Sequence, residues 1–215
     1  MSQDPRQQLI ETAMAMNASG INCGTSGNVS LRQGDGMLIT PSGVHYDHLI
    51  ADDIVLVSAD GKWAEGAKPS SEWRFHHGIY QQRPDAHAVV HAHPVHCTAL
   101  ACLGKGIPAF HYMVAVAGGE DIRCAPYATF GTRDLSDHVL QALTGRKACL
   151  MAHHGLVCLE RTLPRALALA IEVENLARTY CQCLAIGEPA VLDSAEMARV
   201  IEKFRHYGAG PWPRD

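Results

Sequence analysis

The chain has 215 residues, a mass of 23.3 kDa and a formal charge of -4 at pH 7. This length suits one well-covered core and is short for two domains. Apolar residues make up 47% of the chain and charged residues 19%, so we expect it to fold by itself. The acidic balance and the lack of a Lys/Arg run argue against a protein that binds duplex nucleic acid. A small-molecule partner is expected.

The sequence carries no sign of export or of membrane insertion. Its first residues, MSQDPRQQL, lack the basic and apolar regions of a signal peptide, and no run of about eighteen apolar residues occurs. Eight cysteines are present without a CxxC pair. We therefore expect a cytoplasmic protein with no membrane partner, with reduced core thiols and without a cysteine zinc site.

The first third of the chain predicts one helix followed by strands. The helix starts with Asp4 and Pro5, and its apolar spacing continues to Gly20. Strands are predicted after the Gly- and Ser-rich loop NCGTSGNVS, at 29–31, 37–40 and 53–58. A turn at Asp60-Gly61 suggests that the last of these strands forms a hairpin.

The remaining chain alternates helices with apolar strands. Helices are predicted after the caps Ser70 or Ser71, Thr132 and Thr162, within 98–104, and at 195–207 after a predicted capping box of Asp193 and Glu196, with a loop before Thr132. Strand-like runs are predicted at 88–93, at 109–119 and within 147–160, where the strand ends in a histidine pair and the chain turns on Gly155; an irregular tail is predicted at 208–215. Hairpin signals outnumber βαβ signals, and no GxGxxG follows a strand. The sequence therefore predicts a single α/β domain over 1–215, with a central, mostly antiparallel sheet flanked by helices.

Two histidines in AVVHAHPVH are the first candidate metal ligands. The two-residue repeat of a strand directs His91 and His93 to one face, where two desolvated imidazoles would be costly without a ligand. A third histidine from the HHG at 153–155 and the carboxylate of Glu72 would complete a shell suited to zinc or a similar ion. The spacing does not prove that these four side chains meet. Taken by itself, Glu72 is also explained as a carboxylate that stabilises a helix N-terminus through the helix dipole. Alternation places His153 and His154 on opposite faces, so at most one of them faces a given site.

Three small-residue turns together suggest an anion pocket. They are SGN at 26–28, SG at 42–43 and SS at 70–71, and they offer backbone amides and hydroxyl groups. Each turn alone is more typical of an ordinary turn or helix cap.

Eight segments in the same order resemble the class II aldolase/adducin family. They are GTSGNVS, MLITPSG, KPSSEWRFH, AVVHAHPVHC, FHYMVAVAGG, CAPYATFGTR, HHGLV and EKFRHYG. The resemblance implies an enzyme, a lyase that uses one zinc ion per subunit to cleave a ketose 1-phosphate into dihydroxyacetone phosphate and a short aldehyde. It also implies a homotetramer with active sites between subunits.

The resemblance also implies individual roles. The zinc ligands would be Glu72, His91, His93 and His154, with Glu72 acting as acid/base as well. The phosphate would be bound by Gly27, Asn28, Ser42, Gly43, Ser70 and Ser71. Tyr112 would handle the proton of the substrate hydroxyl, Phe130 would lie near the aldehyde, and Tyr207 would reach a neighbouring subunit's site.

Two other activities stay open within this resemblance. Related ribulose-phosphate epimerases carry a lysine where this chain has Thr40, which argues against epimerisation, although Asp121 stands where those enzymes have an acidic residue. A non-catalytic adducin-like module is the second alternative, and the four candidate ligands argue against it. The aldehyde could come from L-fuculose 1-phosphate or from a 5-deoxy- or 5-methylthio-ribulose 1-phosphate, and the sequence does not distinguish zinc from cobalt or manganese.

Overall fold

The fold is known from a computed structural model that describes residues 4–206. Its centre is a seven-stranded sheet with the order β3-β2-β1-β4-β7-β6-β5. All neighbouring strands are antiparallel except β5 and β6, which are parallel. The strands are β1 (Asn28–Gln33), β2 (Gly36–Ile39), β3 (Val55–Val57), β4 (Ala88–Ala92), β5 (Arg123–Ala125), β6 (Ala148–Met151) and β7 (Gly155–Glu160).

Helices cover both faces of this sheet. They are α1 (Pro5–Ala18), α2 (Trp73–Gln82), α3 (Val95–Cys102), α4 (Arg133–Ala142), α5 (Leu163–Ile186) and α6 (Ser194–His206), with short 3₁₀ helices at Tyr46–His48, Ala51–Asp53 and Tyr112–Ala117. One core lies under α1, α3 and α5, and a second core lies under α2 and α4. The predicted α/β domain with a mostly antiparallel sheet between helices is confirmed.

The strand β4 lies in the middle of the sheet and divides these two cores. Alternation directs Val90 into the core beneath α5, and Val89 into the core beneath α2. His91 follows on the same face as Val89 and meets the ring of Phe75 edge-on at 5.5 Å. Strand β4 therefore presents the imidazole of His91 toward α2.

Several predicted caps are confirmed at the atomic level. The Asp4 side chain accepts a hydrogen bond from the backbone N–H of Arg6, and Thr132 accepts one from Leu135. Asp193 likewise accepts from the backbone N–H of Glu196 at 2.7 Å. The helix predicted after Ser70 or Ser71 begins later, because Glu72 occupies its N-cap position.

Three local predictions were wrong. The chain turns at Asp60-Gly61, but no second strand follows β3 there, so this hairpin does not form. The apolar run 109–119 forms a 3₁₀ helix instead of a strand, ending at Gly118 with a positive φ of 88°. The loop predicted before Thr132 contains β5, which has only three residues and therefore too few to display an alternating pattern.

The remaining sequence expectations concern cysteines, membranes and the tail. All eight cysteines are free, as expected for reduced thiols. Within residues 4–206, no helix combines the length and apolar character that membrane crossing requires. The predicted irregular tail at 208–215 lies outside the described residues.

Candidate metal centre

Four candidate ligands meet at the end of β4. One ligand atom from each of Glu72, His91, His93 and His154 lies within 4.8 Å of all the others. They come from the N-terminus of α2, from β4 and its following residue, and from the turn between β6 and β7. The two segments with the candidate histidines are adjacent because β4 pairs with β7 in the sheet, with Ala92 opposite Leu156.

The turn between β6 and β7 selects the third histidine. His153 has a positive φ of 56°, which lies in the left-handed region that few non-glycine residues adopt. The Nε2 atom of His154 lies 3.0 Å from Oε1 of Glu72, whereas the ring of His153 contacts Tyr127. The structure therefore brings His154 to the cluster, as the family resemblance implied.

Glu72 does not use its carboxylate to cap α2. Its side chain makes no capping hydrogen bond and is almost fully buried among the histidines. Oε2 accepts a hydrogen bond from Asn28 at 2.9 Å and lies 3.0 Å from Nε2 of His91. Oε1 has no hydrogen bond among the described residues. An oxygen buried without such a bond is costly unless a cation lies beside it, so this geometry fits a metal ligand.

Charge and burial set the protonation of the cluster. Burial opposes ionisation of Glu72, but the neighbouring His91 and His154 outweigh it and hold the pKa of Glu72 well below its usual range. Burial also opposes protonation of His91, yet the carboxylate of Glu72 raises the pKa of His91. Burial and the charge of His91 lower the pKa of His93 to about 3. The site therefore favours an ionised carboxylate beside a neutral His93.

One hydrogen bond prepares His91 to bind a cation. Nδ1 of His91 lies 2.8 Å from the carbonyl oxygen of Leu156, which can only accept a hydrogen bond. The proton of the neutral ring therefore belongs on Nδ1, and the lone pair of Nε2 points into the cluster. Nε2 of His93 lies only 2.9 Å from that atom. Two neutral imidazoles and a carboxylate so arranged are typical ligands of zinc and similar first-row ions.

A cavity of about 450 Å³ opens above the cluster. Glu72, His93 and His154 reach its wall, whereas His91 lies behind them, fully buried. Four predicted substrate-binding residues, Ser42, Gly43, Ser71 and Phe130, also line it. The other lining residues are Thr25, Ser26, Tyr127, Ala128 and His153.

The other predicted substrate-binding residues lie behind this wall. Gly27 has no room for a side chain, because a Cβ there would come within 2.7 Å of the carbonyl oxygen of His91. The side chains of Asn28 and Ser70 are buried, and Oγ of Ser70 accepts a hydrogen bond from the backbone N–H of Glu72 at 3.3 Å. Binding of phosphate by any of the six predicted residues stays a prediction.

The two predicted tyrosines are not in the cavity. Tyr112 does not line it; its ring stacks on Phe204 of α6, with centroids 6.3 Å apart, and is 51% exposed. Tyr207 lies outside the described residues. Within one chain, the structure therefore brings the four candidate metal ligands next to Ser42, Gly43 and Ser71 of the small-residue turns but leaves Tyr112 elsewhere.

Sequence reasoning missed several residues around the site. His76 is fully buried and contacts Asn28, which in turn contacts Glu72. Its spacing of four residues from Glu72, along one helix face, was an available signal. Tyr127 joins Phe130 at the cavity rim, and these rings are 60% and 65% exposed. No periodic pattern marked Tyr127, because it lies in the loop after β5.

The two residues that bear on epimerisation are engaged elsewhere. Asp121 forms an ion pair with Arg146, with Oδ1 2.6 Å from the guanidinium Nη2, and it does not line the cavity above Glu72. Thr40 is buried, and its Oγ1 accepts a hydrogen bond from the backbone N–H of Val29 at 3.2 Å. Neither side chain is positioned to act in the cavity of its own chain.

Comparison with known proteins identifies the class to which this fold and site belong. Residues 7–181 match the Class II Aldolase and Adducin N-terminal domain. The chain belongs to the class II aldolase and adducin family.

Three relatives show which members of that family the chain is similar to. The chain is 57% identical over 203 residues to the 5-methylthioribulose-1-phosphate/5-deoxyribulose-1-phosphate aldolase of Rhodospirillum rubrum, covering 94% of this chain and 92% of the relative. It is also 57% identical over 203 residues to the L-fuculose phosphate aldolase of Escherichia coli, covering 94% of each. A solved structure of an L-fuculose 1-phosphate aldolase superposes with a TM-score of 0.91 at 41% identity, covering 95% of this chain and 98% of that one. The predicted resemblance to this family is confirmed, and its members with these names indicate a lyase.

Proposed function

We propose that the chain is a zinc-dependent aldolase that cleaves a ketose 1-phosphate into dihydroxyacetone phosphate and a short aldehyde. The observation that carries this proposal is the cluster of Glu72, His91, His93 and His154 at the wall of a cavity that the small-residue turns also line. Relatives named as sugar-phosphate aldolases support it.

The chemistry needs an electron sink, a proton carrier and a phosphate anchor. When bound by these residues, zinc supplies Lewis acidity that stabilises the negative charge developing on the dihydroxyacetone phosphate half. No Schiff-base lysine is then needed. Glu72 moves the proton at the carbon that becomes a carbanion, because its carboxylate belongs to the cluster and also reaches the wall of the cavity.

The turns at 42–43 and 70–71 hold the phosphate by hydrogen bonds. Ser42, Gly43 and Ser71 line the cavity together and carry no charge. Hydroxyl groups and backbone N–H groups of this kind bind phosphate and orient the ketose chain for cleavage. Orientation of the substrate contributes to the rate by keeping the reacting atoms next to Glu72.

Tyr112 takes the proton of the hydroxyl whose carbon becomes the aldehyde, and it acts in the cavity of a neighbouring copy. Its exposed ring and its absence from the cavity of its own chain support a contribution across an interface. The proposal includes a homotetramer with shared sites, in which Tyr207 also reaches a neighbour. A cytoplasmic location fits the free cysteines.

Three aldehyde halves fit equally well with the relatives. L-fuculose 1-phosphate would give L-lactaldehyde, 5-deoxyribulose 1-phosphate would give acetaldehyde, and 5-methylthioribulose 1-phosphate would give methylthioacetaldehyde. The exposed rings of Tyr127 and Phe130 at the cavity rim favour an apolar end group on the substrate, such as a methyl or methylthio group.

A substrate panel tests the proposed function. Purified protein loaded with zinc is supplied with each of the three ketose phosphates, and dihydroxyacetone phosphate is measured with glycerol-phosphate dehydrogenase. We expect product from at least one ketose phosphate, and kcat/KM then ranks the aldehyde halves. Absence of dihydroxyacetone phosphate from all three would refute the proposal, and an unchanged metal content in His91→Ala would favour a non-catalytic module instead.

A further inference from the structure

A buried chain of hydrogen bonds ends on the carboxylate of Glu72. It runs from Tyr80 through Ser30, His76 and Asn28, and all of these side chains are buried. The steps are 2.8 Å from Tyr80 to Ser30, 2.7 Å from Ser30 to Nδ1 of His76, 2.5 Å from Nε2 of His76 to Asn28 and 2.9 Å from Asn28 to Glu72. Two elements supply it, since Tyr80 and His76 lie on α2, Glu72 is the N-cap of α2, and Ser30 and Asn28 lie on β1.

The ionised carboxylate fixes the direction of every step. A carboxylate only accepts hydrogen bonds, so the Nδ2 group of Asn28 donates to Oε2 of Glu72. The Oδ1 atom of Asn28 therefore faces His76, which must donate from Nε2. With its proton on Nε2, neutral His76 accepts at Nδ1 from the hydroxyl of Ser30. Ser30 has then used its hydrogen, so Tyr80 donates to Ser30.

Without the donor on His76, only the carboxylate of Glu72 holds the amide of Asn28 in this orientation. A flipped amide would turn Oδ1 toward Oε2 of Glu72, where two acceptors repel each other. His91 lies opposite Asn28 in the pairing of β1 with β4 and also contacts Oε2. A flipped amide would therefore disturb Oε2 of Glu72, the atom that both Asn28 and His91 contact.

We propose that His76 is a positioning residue that locks the amide of Asn28 so that it donates to Glu72 and holds the carboxylate in its working orientation. His76 touches neither the cavity nor the ligand cluster directly, so it acts through Asn28. Only the kinetic test of this role rests on the proposed aldolase activity.

Substitutions at position 76 separate this role from simple packing. In His76→Gln the longer amide can donate to Asn28 from near the position of Nε2, whereas in His76→Asn the shorter amide reaches Ser30 but not Asn28. We expect His76→Asn to lower kcat by about 10- to 100-fold with KM within about twofold. We expect His76→Gln to keep kcat within about threefold of the unmodified protein. Tyr80→Phe, at the far end of the chain of hydrogen bonds, should lower Tm and leave kcat unchanged.

A second readout does not depend on turnover. The protein is loaded with cobalt, and its visible absorption spectrum reports the ligand arrangement. We expect the His76→Asn spectrum to differ from the unmodified spectrum at equal cobalt content, and the His76→Gln spectrum to match it. If no ketose phosphate is cleaved by the unmodified protein, the proposed function fails and the cobalt spectra alone decide the role of His76.

Three results would overturn the proposal. The first is a His76→Asn protein with unmodified kcat and spectrum; the second is a His76→Gln protein that loses as much as His76→Asn. The third is an equal loss of kcat in Tyr80→Phe, because this would indicate general loosening of the core. If His76→Asn does not fold, Asn28→Ala replaces it, and an unmodified kcat and cobalt spectrum in that variant would overturn the role of the amide.

Discussion

Gly155 lies directly against the ring of His93. A Cβ atom at position 155 would come within 2.5 Å of the carbonyl oxygen of Ala92 and within 2.7 Å of Cδ2 of His93. The backbone neighbour cannot give way, because β4 and β7 are paired there with Ala92 opposite Leu156. The turn after β6 therefore leaves the space in which the second ligand histidine sits.

Gly155→Ala should consequently weaken metal binding. The added methyl group displaces the ring of His93, and we expect zinc affinity to fall by about 10- to 100-fold, measured by competition with a chromogenic chelator. Gly187→Ala is the matched control, because a Cβ there meets nothing within 4 Å. Equal zinc affinities in the two variants would contradict the contact.

Glu72→Gln should separate metal binding from proton transfer. Three imidazoles remain to hold the ion, so we expect close to one zinc per chain, while kcat falls by at least about 100-fold because the amide cannot carry the proton. Metal content is measured by atomic absorption and kcat by release of dihydroxyacetone phosphate. The exposed Glu65→Gln serves as the control, and turnover near that of the control would count against the proposed acid/base.

Removal of the metal should lower both activity and thermal stability. Binding to the folded state alone stabilises it by RT ln(1 + [L]/Kd), or about 4 kcal/mol at 1,000 times Kd. We expect chelated protein to lose turnover, to melt at a lower temperature in a calorimetric scan, and to regain both when zinc, cobalt or manganese is added back. A Tm that is unchanged by chelation would argue that the four side chains do not share an ion.

The helix caps and the placement of His91 could be predicted from the sequence, and particular residues show why. Helix caps such as Asp4 and Thr132 depend on neighbours two or three positions away, so their side chains act as local signals. His91 was predictable because a strand has a fixed period. The partner of Glu72 was not, because Asn28 lies 44 residues earlier and meets it only where α2 and its N-cap pack against β1.

The chelated protein should lose stability in acid, because His76 is protonated in the unfolded state but stays neutral in the folded state. Burial lowers the pKa of His76 to about 3, below the unfolded value of about 6.5, so between these pH values the unfolded state binds one more proton and stability falls as pH falls. Between pH 7 and pH 5 this loss amounts to about 2 kcal/mol. Urea unfolding of wild-type and His76→Gln proteins at both pH values measures it. The variant should lose less stability, and parallel losses would contradict the lowered pKa.

Mixing two inactive variants tests whether Tyr112 serves a neighbouring copy. Glu72→Gln and Tyr112→Phe each impair every site of their own oligomer. In a mixed oligomer, some cavities combine an intact Glu72 with an intact Tyr112 from the next subunit, and we expect roughly a quarter of the unmodified activity for random mixing. Native mass spectrometry verifies that the subunits have exchanged. Glu72→Gln mixed with His154→Ala is the control: both changes affect ligands that each chain supplies to its own cluster, so no activity should return. Recovery in neither mixture would assign Tyr112 to its own chain or to no catalytic role, whereas recovery in the first alone requires a site built from two subunits.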